Sequence, residues 1–213
     1  MILRMEKILI RLLKSMVSFK REFFMNQLQK HIIETISEIN KLDLERFKNV
    51  NLNFSNYPRV VFCTMGKSAF ACRKAVYTAR SYGLDWHDLD VCHAFHGDAG
   101  LIKPGDLLFF VSKSGETRET IDVASYFNEW NTVSITSDPN STLSKMCKQN
   151  IDIPVTKEGS PFGYAPMIST TLYMTVIHGL LCKAINENNI TIEQYAKNHP
   201  SGKIGKDLKD NGI

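Results

Sequence analysis

The chain has 213 residues, 43% of them apolar and 23% charged, with 26 Lys and Arg against 22 Asp and Glu for a formal net charge of +4. That length supports one sizeable core, and the composition is that of an ordinary globular protein. The mild positive charge suits an anionic small molecule and does not demand nucleic acid, and no apolar run is expected to span a membrane. The five cysteines, Cys63, Cys72, Cys92, Cys147 and Cys182, are scattered and form no C-x-x-C pair. They fit reduced thiols in a cytoplasmic protein, without a disulfide framework or zinc ribbon.

Residues 1–20 are basic and apolar, loosely like a targeting segment. However, Arg4, Glu6, Lys7, Arg11 and Lys14 interrupt the apolar residues, and no small-residue cleavage site follows. Ile8, Leu9, Leu12, Leu13 and Met16 recur at helical spacing, which predicts an amphipathic helix packed on its own domain or on a partner subunit. Residues 5–47 read as two helices, so that 1–50 form an N-terminal helical segment and 51–213 the main domain. Residues 59–63 read as a buried strand, leading into a helix that runs to about Tyr82 and stops at Gly83. Short strands are expected at 90–93, 107–111, 132–136 and 150–155. A helix from Thr117 to about Trp130 follows the third strand, and a short helix follows the fourth.

These strands alternate with helices and lack the polar alternation of a sheet facing solvent. The expected architecture is α/β: a three-layer αβα sandwich with a five-stranded parallel sheet of the flavodoxin or Rossmann-like kind. Residues 169–185 are apolar nearly all round, as in a helix buried in a core or an interface. A short helix over 191–197 precedes the C-terminal tail.

Ligands of such sheets bind beyond the C-terminal strand ends, and the polar segments there are the candidates. Ser112, Lys113, Ser114, Gly115, Glu116 and Thr117 lie between the third strand and its helix. Three hydroxyls, a glycine and a helix N-terminus suit a phosphate group, whereas capping alone would explain one hydroxyl. The spacing is not that of a Walker P-loop. Gly66, Lys67 and Ser68 follow the first strand, where Gly66 permits close approach and Lys67 needs an exposed position or an anion. His93 and His96 have H-x-x-H spacing, but loop hydrogen bonding explains them better than a metal, and no metal or other cofactor is expected. Glu158 sits in the loop after the fifth strand. Ser169, Thr170 and Thr171 open the buried helix, and His199 is held between a helix end and Pro200.

In order along residues 60–208, these segments resemble the sugar isomerase (SIS) domain family. Within it the similarity is to the arabinose-5-phosphate isomerases of the 3-deoxy-octulosonate pathway, which supplies lipopolysaccharide or capsule. The matching residues are Met65 to Ser68, His96-Gly97-Asp98, Ser112-x-Ser114-Gly115-Glu116-Thr117, Lys157-Glu158, Ala165-Pro166-x-x-Ser169-Thr170-Thr171 and His199-Pro200-x-Gly202. The resemblance implies a homotetramer with active sites between subunits, lined by Lys67, Glu116, Glu158 and, from a neighbouring chain, His199. Many members also carry a C-terminal pair of regulatory modules of the cystathionine-β-synthase type. The chain ends at Ile213, so nucleotide regulation through such modules is not expected. Thr64, His93, Lys113 and Ser201 depart from the family pattern; Lys113 stands where an asparagine is usual.

The implied reaction interconverts ribulose 5-phosphate and arabinose 5-phosphate through an enediol. Glu158, its pKa raised by partial burial, is the expected carbon base, and His199 the group that opens the ring or moves protons between the oxygens; these two roles could be exchanged. Lys67 would stabilise the enediolate and Glu116 orient Lys67 or a sugar hydroxyl. Ser112, Ser114, Thr117, Ser169 and Thr170 would grip the phosphate, with Gly66, Ser68, His96 and Lys113 completing the substrate site. The alternatives are an isomerase of sedoheptulose 7-phosphate or hexulose 6-phosphate, and a non-catalytic phosphosugar sensor. No nucleic-acid or membrane partner is expected.

Overall fold

The computed structural model describes the backbone of residues 2–47 and 50–213; the side chains of 2–13, 16–19, 44 and 46 lie outside the described set. Five parallel strands, β1 (Val60–Thr64), β2 (Trp86–Asp90), β3 (Leu107–Val111), β4 (Asn131–Thr136) and β5 (Gln149–Asp152), form one sheet in the order β2-β1-β3-β4-β5. The crossovers are α2 (Gly66–Ser81) after β1, the single turn α3 (Val91–Ala94) after β2, α4 (Arg118–Tyr126) after β3 and α5 (Thr142–Met146) after β4. This is the expected α/β sandwich. The chain leaves β1 towards β2 and returns through β3 to the other side, so the sheet reverses its winding between β1 and β3. Loops diverge at such a switch point and leave a crevice.

The central strands are apolar on both faces because both faces are covered. Phe62, Phe109, Val111 and Ile135 point to one side, where α2 and α6 (Ile168–Glu187) complete the core. Val61, Cys63, Leu108 and Phe110 point to the other, against α4 and Leu143 of α5. Burial pushes the Cys63 and Cys72 thiols well above the usual range, which leaves them as small core hydrophobes. Arg59 holds the strand starts together, with Nε and Nη2 on the two oxygens of buried Asp106 at 3.0 and 2.5 Å.

Three expectations change. The second strand is Trp86–Asp90, not 90–93, which instead begins a helical turn capped by Asp90. It is an edge strand, half-wetted along its length, so its polar residues conceal it in the sequence. The N-terminal segment is one helix, α1 (Ile2–Ile39), followed by a 3₁₀ turn at Leu44–Phe47. Its apolar Phe24, Leu28, Ile32 and Ile36, spaced four apart, are exposed; Ile8, Leu9, Leu12, Leu13 and Met16 lie outside the described side chains. Finally, α6 is long and apolar enough to cross a membrane by length and composition. Its Ile168, Leu172, Tyr173, Ile177 and Leu181 are buried in the core, as in a core helix. Beyond it, α7 (Ile192–Lys197) opens on a Thr191–Gln194 capping box, and α8 (Gly202–Asp210) ends the chain.

Candidate active site

A cavity of about 300 Å³ opens at the switch point. Met65, Lys67 and Ser68 line it from the end of β1, and Ser112, Lys113, Ser114, Thr117 and Thr120 from the end of β3. Glu158, Tyr164, Pro166 and Ser169 close it from the loop before α6. Neither Met65 nor Thr117, the N-caps of α2 and α4, bonds its side chain back into the helix. The first-turn N–H groups of both helices therefore lack an internal cap, and their dipoles add positive potential at one place. The oxygen of Thr120, fully buried on the first turn of α4, has no partner among the described residues. Such an orphaned hydroxyl beside two open helix ends fits an oxygen-rich anion.

The 112–117 turn is built tightly. Ser112 Oγ lies 2.9 Å from Thr117 Oγ1 and accepts from the Gly115 N–H at 3.2 Å. Gly115 has φ of +66°, and a Cβ there would stand 2.1 Å from Ser141 Oγ. Ser141 is the N-cap of α5, so only glycine allows the turn and α5 to meet. The Ser114 hydroxyl accepts from the Glu116 N–H at 3.1 Å.

Glu158 does not have the environment expected of a base with a raised pKa. Its side chain is only 1% exposed. Oε2 accepts the N–H groups of Met167 and Ser169 at 3.0 and 3.1 Å, capping α6, and Oε1 meets Lys113 Nζ at 2.5 Å. Burial alone would raise its pKa, but Lys113 and the Ser169 N–H outweigh burial and hold the carboxyl below its usual range. The loop carrying it is fastened to α1: buried Glu38 accepts the Thr156 N–H and hydroxyl, each at 2.7 Å. The His31 ring stands over Gly159, 2.8 Å from where a Cβ would project. A second, polar cavity of about 380 Å³ separates α1 from this loop.

Within one chain the cavity gathers Lys67, Ser68, Ser112, Lys113, Ser114, Thr117, Glu158 and Ser169. Four expected site residues are turned elsewhere, and Gly66, the first residue of α2, is not among the lining residues. Glu116 Oε1 accepts the Thr142 N–H at 2.7 Å, tying the turn to α5. The Thr170 hydroxyl donates to the Met167 carbonyl at 2.9 Å. His96 is exposed beyond α3. His199 lies after α7, with Nδ1 2.9 Å from the Tyr195 carbonyl and its ring 4.1 Å from that of Tyr195. A carbonyl only accepts, so Nδ1 carries a proton in this contact and Nε2 is the ring nitrogen left to face outward. Sequence reasoning misses Thr120 and Tyr164; the signal for Thr120 is a hydroxyl on the first turn after the 112–117 segment. Among the described residues no group of three His, Cys, Asp or Glu side chains is placed to hold a metal ion.

Comparison with known proteins agrees with the fold. The SIS domain model matches residues 53–183. Arabinose 5-phosphate isomerase KpsF of Escherichia coli is 33% identical over 171 residues, covering 79% of this chain and 52% of KpsF. The chain thus spans about half the length of the curated relatives it matches. The solved structure of E. coli CFT073 c3406 in complex with arabinose 5-phosphate superposes with a TM-score of 0.75 at 25% identity, covering 84% of this chain and 96% of that one. A Listeria monocytogenes protein superposes with a TM-score of 0.76 at 22% identity, covering 84% and 97% of the two chains.

Proposed function

Because this chain belongs to the SIS domain family, we propose that it is a phosphosugar isomerase interconverting ribulose 5-phosphate and arabinose 5-phosphate through an enediol. The observation that carries the reading is the cavity where two uncapped helix N-termini, the orphaned Thr120 hydroxyl and Lys67 converge on an anion-sized space. KpsF is named for arabinose 5-phosphate, and c3406 was solved with that same sugar phosphate; these names support the five-carbon substrate.

In this scheme the phosphate seats on the first turn of α4 and the 112–117 turn, anchoring the substrate by atoms that do not react. Its sugar then extends towards Lys67 and Glu158. Glu158 Oε1 takes a proton from the carbon next to the carbonyl and returns it to the neighbouring carbon. The Lys67 ammonium offsets the negative charge developing on the enediolate oxygen. His199 of a second copy presents Nε2 to move a proton between O1 and O2. This places the active site between subunits of a homotetramer and accounts for a histidine that its own chain leaves away from the cavity.

A panel of ribulose 5-phosphate, sedoheptulose 7-phosphate and hexulose 6-phosphate tests the substrate. The expected result is a kcat/KM for ribulose 5-phosphate at least about a hundredfold above the others, the scale of substrate discrimination a fitted pocket achieves. Preference for a six- or seven-carbon sugar overturns the assignment. Binding of phosphosugars with no turnover points to a sensor.

A further inference from the structure

Glu158 presents a conflict. The isomerase scheme asks its Oε1 to accept a proton, yet that oxygen is covered by Lys113 and the carboxylate is held in its charged form. Oε2 is committed to the α6 N-terminus and the Ser169 hydroxyl also bonds the carboxylate, so Oε1 is the oxygen left to act, and among the described residues it meets Lys113. Lys113 is itself a member of the 112–117 turn. Its backbone is fixed, because its carbonyl accepts the Ser137 N–H at 2.9 Å. Its side chain is 39% exposed while that of Glu158 is 1% exposed. The lysine is therefore a movable cover over a fixed carboxylate.

We propose that Lys113 is a ligand-released latch: a phosphate group seated in the 112–117 turn draws its ammonium off Glu158 and uncovers Oε1 for proton transfer. The proposal rests on the reading of this cavity as a phosphosugar site. Its physical basis is competition for one cation. A phosphate monoester carries about −1.5 to −2 charges against the single charge of a carboxylate. It would also occupy a place already made positive by the open ends of α2 and α4. Lysine suits the exchange because its ammonium is a point charge on a flexible stem, able to swing between acceptors without a fixed fork geometry. Glu158 would lose one of its charge-assisted partners and become more basic only when substrate is present. The other groups facing it do not substitute for the latch. Lys67 comes from α2, Tyr164 from the loop, and the Tyr173 hydroxyl is bonded to Ser137 Oγ at 3.0 Å. His31 from α1 faces the loop at Gly159. An asparagine at 113 would bond Glu158 without a charge to withdraw.

The test is carboxyl-¹³C glutamate NMR on the full chain, with the Glu158 signal assigned by its loss in Glu158→Gln and inorganic phosphate as the probe. Phosphate binding is measured separately by calorimetry. Saturating phosphate is expected to raise the Glu158 titration midpoint in the unmodified protein by about one pH unit, a tenfold change in proton affinity. In Lys113→Met the midpoint should already be raised, and phosphate should raise it further only by the smaller amount that its own charge imposes; Lys113→Arg should restore the low midpoint. Bound phosphate also repels the carboxylate directly, so the latch is the part of the rise that Lys113→Met lacks, and Lys113→Gln replaces Lys113→Met if that variant misfolds; equal rises in the unmodified and variant proteins overturn the latch. Phosphate binding that leaves the Glu158 midpoint unchanged overturns the latch alone. Failure of phosphate to bind at all overturns the cradle, and the latch with it.

Discussion

Gly115→Ala tests whether the cradle depends on its contact with α5. The new methyl has two costs. At φ of +66° an alanine sits in the left-handed region, at about 1–2 kcal/mol. Its Cβ would also stand 2.1 Å from Ser141 Oγ and 2.4 Å from Ser141 Cβ. Ser141 is only 2% exposed and accepts the Ser144 N–H as the α5 cap, so it has little room to yield. Overpacking of this kind costs about 1–3 kcal/mol, and losing the cap about 1 kcal/mol. The sum is about 3–6 kcal/mol, which for a chain of this size lowers Tm by about 6–24 °C. The assay is a thermal melt of Gly115→Ala, Ser141→Gly and the double variant. Ser141→Gly removes the atoms in the way, so the double variant should lose clearly less than the sum of the two single changes. Additive losses, or a Gly115→Ala drop under about 3 °C, would refute the close-contact account.

Four further outcomes follow. Lys67→Met should leave Tm unchanged, since Lys67 is exposed, and lower kcat by about a hundredfold or more, as removal of one oxyanion-stabilising group does; a loss confined to KM would assign Lys67 to binding alone. Glu158→Gln and His199→Ala should each cost at least about a hundredfold in turnover, and near-normal turnover in both would remove them from the chemistry. Mixed and reassembled Lys67→Met and His199→Ala chains should recover about a quarter of normal activity if the two residues meet across subunits; no recovery would place them in one chain's site. Glu38 and Glu158 are both held below the usual carboxyl range. A lowered folded pKa contributes stability above the unfolded value of about 4.3 and loses it as pH falls through the folded value. Melts taken between about pH 7 and 3 should therefore show Glu38→Gln with a smaller acid loss than the unmodified chain; an equal loss would contradict this.

The parts of the fold legible in the sequence are those whose neighbours along the chain are also their determinants. β1 and β3 are continuous apolar runs buried on both faces, and each ends in a polar, glycine-bearing turn that opens a helix. The edge strand β2 is harder to place because its partly wetted face leaves polar His87 and Asp88 in the strand, while the apolar Val91 that follows is helical. The site follows the same rule. The turn residues and Lys67 are legible as a cradle because chain order alone places them at the switch point. The state of Glu158 is not, since it depends on Lys113, 45 residues away, and on the N-terminus of a helix that starts ten residues later. Glu116 resembles a site residue because it sits in the cradle motif, but its carboxylate is used by Thr142 across the turn. The helix α8 is hidden in a lysine-rich tail, and it turns on buried Gly205, where a Cβ would stand 2.2 Å from the His199 carbonyl oxygen.

The central claim is that this cavity moves a proton between adjacent carbons of a phosphosugar. Incubating the protein with ribulose 5-phosphate in deuterated water, and following the products by NMR, tests it most directly. The account predicts arabinose 5-phosphate carrying solvent deuterium at C2, formed by the unmodified protein and lost in Glu158→Gln. Phosphosugar binding without any arabinose 5-phosphate, or a product formed equally by Glu158→Gln, would contradict it.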